Sequence, residues 1–135
     1  MKHKEDILQE QCVTWFRLKY PKKIIFSIPN GGSRRLLEAV RLKRQGVLKG
    51  VPDLLIPEPV EPYCGMFIEL KVKPNKPTKE QTEFLQNMAK KGYMAGVCYT
   101  FERFQEVVDF YFLRIAPKQL KVPIEYQKQI EEMKL

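Results

Sequence analysis

The chain has 135 residues, 44% of them apolar and 30% charged, which suits one folded domain with a real core and not a disordered or membrane-embedded chain. Its 24 Lys and Arg outnumber its 16 Asp and Glu, leaving a net charge of +8 that favours a polyanionic partner, most often nucleic acid. No apolar run approaches the ~20 residues of a membrane span, and the opening Met-Lys-His-Lys-Glu-Asp lacks the apolar segment of a signal peptide, so a cytoplasmic protein with no membrane partner is expected.

Residues 5–19 are predicted to form a helix, because Ile7, Leu8, Gln11, Cys12, Trp15 and Phe16 fall mostly at three- and four-residue spacings and Pro21 stops the run. Lys23–Ile28 reads as a strand, and Asn30-Gly31-Gly32-Ser33 as a loop with strong turn chemistry. Arg34–Gln45 is expected to be helical, with Leu36, Leu37, Val40 and Val47 facing inward and Gly46 at its C-terminal end. Asp53–Ile56 and Gly65–Val72 read as strands separated by an irregular, proline-rich connection. In the longer strand Met66, Ile68, Leu70 and Val72 form one face, and Phe67, Glu69, Lys71 and Lys73 the other. Thr78–Lys91 is predicted as a helix closed by Gly92, Tyr93–Tyr99 as a strand, and Phe101–Leu113 as a helix. The tail from 117 to 135 has room for a short helix near Ile124–Met133.

The order α-β-(α)-β-β-α-β-α implies an α/β domain, taken as residues 1–116, with a small mixed central β-sheet flanked by helices. The strands at 53–56 and 65–72 should be antiparallel neighbours, and the helix at 78–91 allows a parallel crossover to 93–99. Cys12, Cys64 and Cys98 form no CxxC pair and the only histidine is His3, so they read as reduced thiols, Cys12 and Cys98 in the core, and not as a zinc site.

The chemistry concentrates at Asp53, Glu69 and Lys71. Alternation along a strand puts Glu69 and Lys71 on one face about 6.5–7 Å apart. If the two strands pair, Asp53 joins them. Two carboxylates and an amine on one face suit a hard divalent cation beside a phosphate. Read singly, Asp53 is a turn residue and Glu69 with Lys71 an ordinary ion pair on a solvent-facing edge. Charges in a strand that otherwise reads as buried are costly, however, and the joint occurrence favours a site. Thr78-x-x-Gln81 is a capping box at a helix start. Asn30, Gly31, Arg34 and Arg35 could bring amides and guanidinium groups to a phosphate, or could be a turn and a solvated basic helix start. Lys49 before Asp53 and Lys73 after Lys71 add positive charge around the acids, as a DNA-binding surface requires.

Pro52-Asp53 followed by Glu69-x-Lys71 resembles the PD-(D/E)xK nuclease superfamily. Gly50-Val51-Pro52-Asp53-Leu54, Gly65-x-Phe67-Ile68-Glu69-Leu70-Lys71, Gln81 and Gly92-Tyr93 are similar to the VRR-NUC family within it. Ile28-Pro29-Asn30-Gly31-Gly32 and Leu42-Lys43-x-x-Gly46-Val47 fit its small stand-alone members, which are often phage-encoded. The resemblance runs from about residue 5 to 113 and leaves the tail unexplained.

What it implies is a restriction-endonuclease-like core and a DNA endonuclease dependent on Mg²⁺ or Mn²⁺. Asp53 and Glu69 would bind the metal with the Leu70 carbonyl, and Lys71 would orient or deprotonate the attacking water. Gln81 would have a catalytic or site-organising role near Lys71. The first helix would add another acid to the metal site, Glu5 or alternatively Glu10. The stand-alone members look like dimeric Holliday-junction resolvases, which implies a homodimer acting on branched DNA. A flap-type or less structure-selective endonuclease is the second reading, and a catalytically silent DNA-binding module the third. The intact Asp53, Glu69 and Lys71 argue against the silent module.

Overall fold

The computed structural model describes residues 4–29 and 36–114. Its elements are α1 (Lys4–Lys19), β1 (Phe26–Ser27), α2 (Leu36–Arg44), β2 (Leu54–Ile56), β3 (Met66–Leu70), α3 (Lys79–Lys90), β4 (Met94–Cys98) and α4 (Phe101–Leu113). The strands form one mixed sheet in the order β1-β2-β3-β4. β1 pairs β2 and β2 pairs β3 antiparallel, with Leu54 opposite Ile68. β3 and β4 run parallel, joined by the crossover through α3, as predicted. The predicted tail helix, Asn30, Gly31, Arg34 and Arg35 lie outside the described residues.

Strand alternation divides the core in two. Met66, Ile68 and Leu70 on one face join Leu8, Cys12 and Phe16 of α1 and Phe104, Val107, Val108 and Tyr111 of α4. Phe67 on the other face joins Ala95 and Val97 of β4 and Leu85 of α3. The sheet is thus a middle layer between α1 with α4 and α3. Cys12 and Cys98 are buried as predicted, and burial first, then Glu102, pushes the Cys12 thiol up to about 12. Among the described residues no helix is long and apolar enough to cross a membrane.

The predicted first helix forms, and its buried stripe is Leu8, Cys12 and Phe16 at four-residue spacing, with Ile7 and Gln11 on the exposed flank. Two expectations need correction. The strand expected over 23–28 pairs only at Phe26 and Ser27, because β2 offers just three residues and residues 21–23 are taken up by a turn. The second concerns α2, whose apolar residues do not face inward. Leu36 is 78% exposed, Leu37 84% and Val40 43%, and no residue of α2 is buried. The spacing is that of an amphipathic helix, yet no element of this chain among the described residues covers its apolar side.

Helix ends follow local rules. Gly46, at φ +105°, ends α2, with the Val47 N–H donating to the Leu42 carbonyl at 3.0 Å. Gly92 does the same for α3, where the Tyr93 N–H reaches the Met88 carbonyl at 3.0 Å. Thr78 caps the start of α3, and Thr100 that of α4.

Candidate active site

The site forms where β2 begins and β3 ends. The β2–β3 register, carried one residue beyond Leu54 opposite Ile68, sets Asp53 across from Glu69. Asp53 is not in the ladder. Its main-chain carbonyl accepts from Ile28 N–H at 2.8 Å, and its Oδ2 accepts from Leu70 N–H at 2.8 Å. Leu70 therefore closes β3 on the Asp53 side chain, while the next residue, Lys71, donates its N–H to the Cys98 carbonyl at 3.1 Å.

Glu69 is 2% exposed, as deeply buried as the core around it. Its Oε1 accepts from Gln81 Nε2 at 3.3 Å and lies 3.8 Å from Lys71 Nζ. Its Oε2 is buried without a hydrogen-bond donor. The Asp53 and Glu69 carboxyls are close enough to perturb each other's titration, and two ionised carboxylates offer each other no proton to share. Burial, then the Asp53 charge, pushes Glu69 up to about 9, with Lys71 pulling the other way. Burial also raises Asp53, opposed first by the Leu70 N–H. Two carboxyls forced toward protonation by burial and by one another are what a cation would relieve.

Lys71 Nζ stands between two acids, 3.8 Å from Glu69 Oε1 and 4.0 Å from Glu5 Oε1. Its side chain is 13% exposed. Glu5 belongs to the first turn of α1, which reaches the end of β3, and its Oε2 accepts from Asn75 Nδ2 at 2.9 Å. Of the two candidate acids in α1, the fold brings Glu5 to Lys71; Glu10 is exposed in a groove with Arg17 and Ser27. Among the described residues no three His, Cys, Asp or Glu side chains converge as a ready-made metal cluster. The acids are arranged as a pair, Asp53 and Glu69, with Glu5 beyond Lys71.

Gln81 serves two groups at once. Its Oε1 accepts from Thr78 N–H at 2.8 Å, its own N–H donates to Thr78 Oγ1 at 3.2 Å, and its Nε2 donates to Glu69. The capping-box and site-organising readings of Gln81 describe the same side chain. Gly50 sets the distance between α3 and the Asp53 segment. At φ +94°, a Cβ there would lie 2.7 Å from the Glu80 carbonyl carbon and oxygen. Only glycine lets the main chain pass so close beneath the first turn of α3.

Of the expected DNA contacts that are described, Lys49 lies 3.8 Å from Glu80 Oε1, both exposed, and Lys73 Nζ sits 5.8 Å from the centre of the Tyr99 ring. Both lysines are exposed. Sequence reasoning did not single out Asn75, and no local signal could have found it, because its partner Glu5 is seventy residues away.

The donors at this place are hard carboxylate oxygens, with one acid oxygen left unpartnered in the interior. That set fits a divalent cation of the Mg²⁺ or Mn²⁺ type and not a soft, thiolate-binding one.

No curated protein shows significant similarity to the chain. A solved structure described as a VRR_NUC domain protein is similar at 27% identity and a TM-score of 0.69, over 89% of this chain and 99% of that one. The VRR-NUC domain family matches residues 1–102, from α1 to the start of α4. The chain therefore belongs to the VRR-NUC family, a nuclease domain family.

Proposed function

We propose that this protein is a divalent-metal-dependent endonuclease that hydrolyses phosphodiester bonds in branched DNA as a homodimer. The observation that carries the reading is the buried Asp53–Glu69 pair with Glu69 Oε2 unpartnered and Lys71 alongside. Burying two adjacent acids beside a single lysine leaves one negative charge uncompensated, at a cost on the order of several kcal/mol. A site that binds a cation in its working state explains why the pair is kept.

In this reading Asp53 and Glu69 hold Mg²⁺ or Mn²⁺ with the Leu70 carbonyl. The bound ion would supply Lewis-acid stabilisation of phosphoryl charge and a more acidic water. The protein's own groups do the rest. The Leu70 N–H and Gln81 Nε2 fix the two carboxylates before substrate arrives, so no reorganisation is needed during the reaction. Lys71, held between Glu69 and Glu5, orients the attacking water or takes its proton and offsets the phosphate charge. Glu5 is the third acid of the site. The exposed Lys49 and Lys73, with Asn30, Gly31, Arg34 and Arg35, contact the DNA backbone.

The exposed apolar side of α2 supports the dimer. Leu36, Leu37 and Val40 present a face of the kind that a second copy would cover, and symmetric pairing would give two sites for the two strands of a junction. The deciding experiment incubates the protein with labelled four-way junction, flap, splayed and linear duplex DNA in Mg²⁺ and in Mn²⁺, beside Lys71→Ala. Junction cleavage by wild type alone is expected. Linear duplex cut as fast as the junction would sink the branched-DNA reading, and cleavage of flaps alone would replace the resolvase with a flap nuclease. DNA binding without cleavage in either cation would favour the silent module.

A further inference from the structure

We infer that Asn75 is a positioning residue, a latch between the β3–α3 loop and α1 that holds the Glu5 carboxylate against Lys71. This deepens the nuclease reading and rests on it. Glu5 is in the first turn of α1, with a side chain one-third exposed. A glutamate in that position has several open rotamers, most of them pointing into water. Its direction here is set by one hydrogen bond and one longer ion-pair contact that divide its oxygens. Oε2 accepts from Asn75 Nδ2 at 2.9 Å, and this leaves Oε1 facing Lys71 Nζ at 4.0 Å.

Asn75 is itself held. Its main-chain N–H donates to the Val72 carbonyl at 3.0 Å, closing a turn just after Lys71. The amide thus projects from a tight turn that begins where β3 delivers its two charged residues. Asparagine fits this task for a chemical reason. The partner is a carboxylate, so the latch must donate, and a neutral amide donates without adding a cation that would compete with Lys71 for Glu5. Both acids near Lys71 are held by a side-chain amide, Glu69 by Gln81 and Glu5 by Asn75, but only Glu5 is a partly exposed side chain whose direction the amide must choose. The latch therefore acts on the orientation of the lysine, through Glu5, and not on the DNA.

The consequence is a split between kinetic constants. Asn75→Ala should lower kcat about ten-fold, the effect of losing one hydrogen bond to a charged group, with KM for DNA within two-fold of wild type. Asn75→Asp keeps the size but loses the donor, and should fall at least as far. In a Glu5→Ala background, Asn75→Ala should cost nothing further, because its partner is already gone. The same cycle is read without any reaction by thermal melting of the metal-free protein: Asn75→Ala should lower the midpoint by about 3 °C in wild type and by less than about 1 °C beside Glu5→Ala. A raised KM at unchanged kcat, wild-type kcat in Asn75→Asp, or full additivity in both cycles would overturn the latch. If wild type cleaves nothing, the nuclease reading fails and the positioning role with it; the melting cycle then shows whether the Asn75–Glu5 bond failed too.

Discussion

Gln81 Nε2 donates to Glu69 Oε1 at 3.3 Å while the other end of the same amide completes the cap of α3. One side chain therefore couples the start of a helix to a buried acid of the candidate metal site. A movement of the first turn of α3 is a movement of Glu69's hydrogen-bond partner. Gly50 lies directly beneath that turn, so the Asp53 segment, α3 and Glu69 form one unit.

The two duties of Gln81 can be separated by substitution. Gln81→Glu keeps an N3 acceptor for the Thr78 N–H and suits the helix dipole, but it replaces the donor to Glu69 with another carboxylate. Expected are a melting midpoint within a few degrees of wild type and a cleavage rate reduced by roughly 100-fold, about 3 kcal/mol in the barrier. Gln81→Ala loses both contacts and should also cost about 1 kcal/mol of stability. Circular-dichroism melts beside single-turnover cleavage decide this, and equal melting losses in the two variants would refute the separation.

The acid pair predicts an unusual pH dependence for the metal-free protein. Glu69 is raised from 4.5 to about 9 in the fold, chiefly by burial and then by Asp53. A raised acid binds its proton more tightly folded than unfolded, so its stabilising effect is complete below pH 4.5 and fades as the pH climbs toward 9. In EDTA the protein should lose on the order of 4 kcal/mol between pH 5 and pH 8, and Glu69→Gln should flatten that slope. Added Mg²⁺ should restore stability in wild type but not in Glu69→Gln. Denaturant titrations across pH supply the test, and a wild-type slope unchanged by Glu69→Gln would count against the buried pair.

Two glycines with similar backbone angles should respond differently to alanine. Gly50 and Gly46 have φ values of +94° and +105°. A Cβ at Gly50 would strike the Glu80 main chain at 2.7 Å, whereas one at Gly46 meets nothing within 4 Å. Gly46→Ala should therefore cost only the conformational strain, about 1 kcal/mol, and Gly50→Ala about 2–4 kcal/mol. Urea unfolding of both variants measures the difference. Comparable losses would mean that α3 shifts freely away from the Asp53 segment.

If the apolar side of α2 is where two copies meet, Leu37→Asp should give a monomer with an unchanged fold. Leu37 is 84% exposed, so the substitution removes no internal packing. Light scattering at micromolar concentration should report the wild type as a dimer and the variant at half its mass. Junction cleavage should drop with the dimer, because paired incisions need two sites. A dimeric variant would move the interface elsewhere.

Much of this molecule was readable from spacing alone. The alternation in Met66–Leu70 announced a strand with two unlike faces, and Thr78-x-x-Gln81 announced a capped helix. Both are local rules, satisfied by neighbours within four residues. That the strands carrying Asp53 and Glu69 pair antiparallel was legible too, since they are sequence neighbours, but the long proline-rich connection left their register to the packed sheet. Local periodicity misled only where it was asked about partners. The spacing of Leu36, Leu37 and Val40 correctly gives a helix but says nothing of what lies opposite it, and in this chain nothing among the described residues does.

The sequence by itself determined the elements, their order, and the three residues of the candidate site, Asp53, Glu69 and Lys71, that the fold brings together, because strand alternation, capping and turn preferences act over a few residues. Tertiary structure decided which acid of α1 meets Lys71, that Asn75 holds it, and that Glu69 is buried with one oxygen unpartnered. Those facts depend on contacts between segments up to seventy residues apart. Burial and opposing charge are properties of the packed interior, and no pattern along the chain encodes them until the layers close.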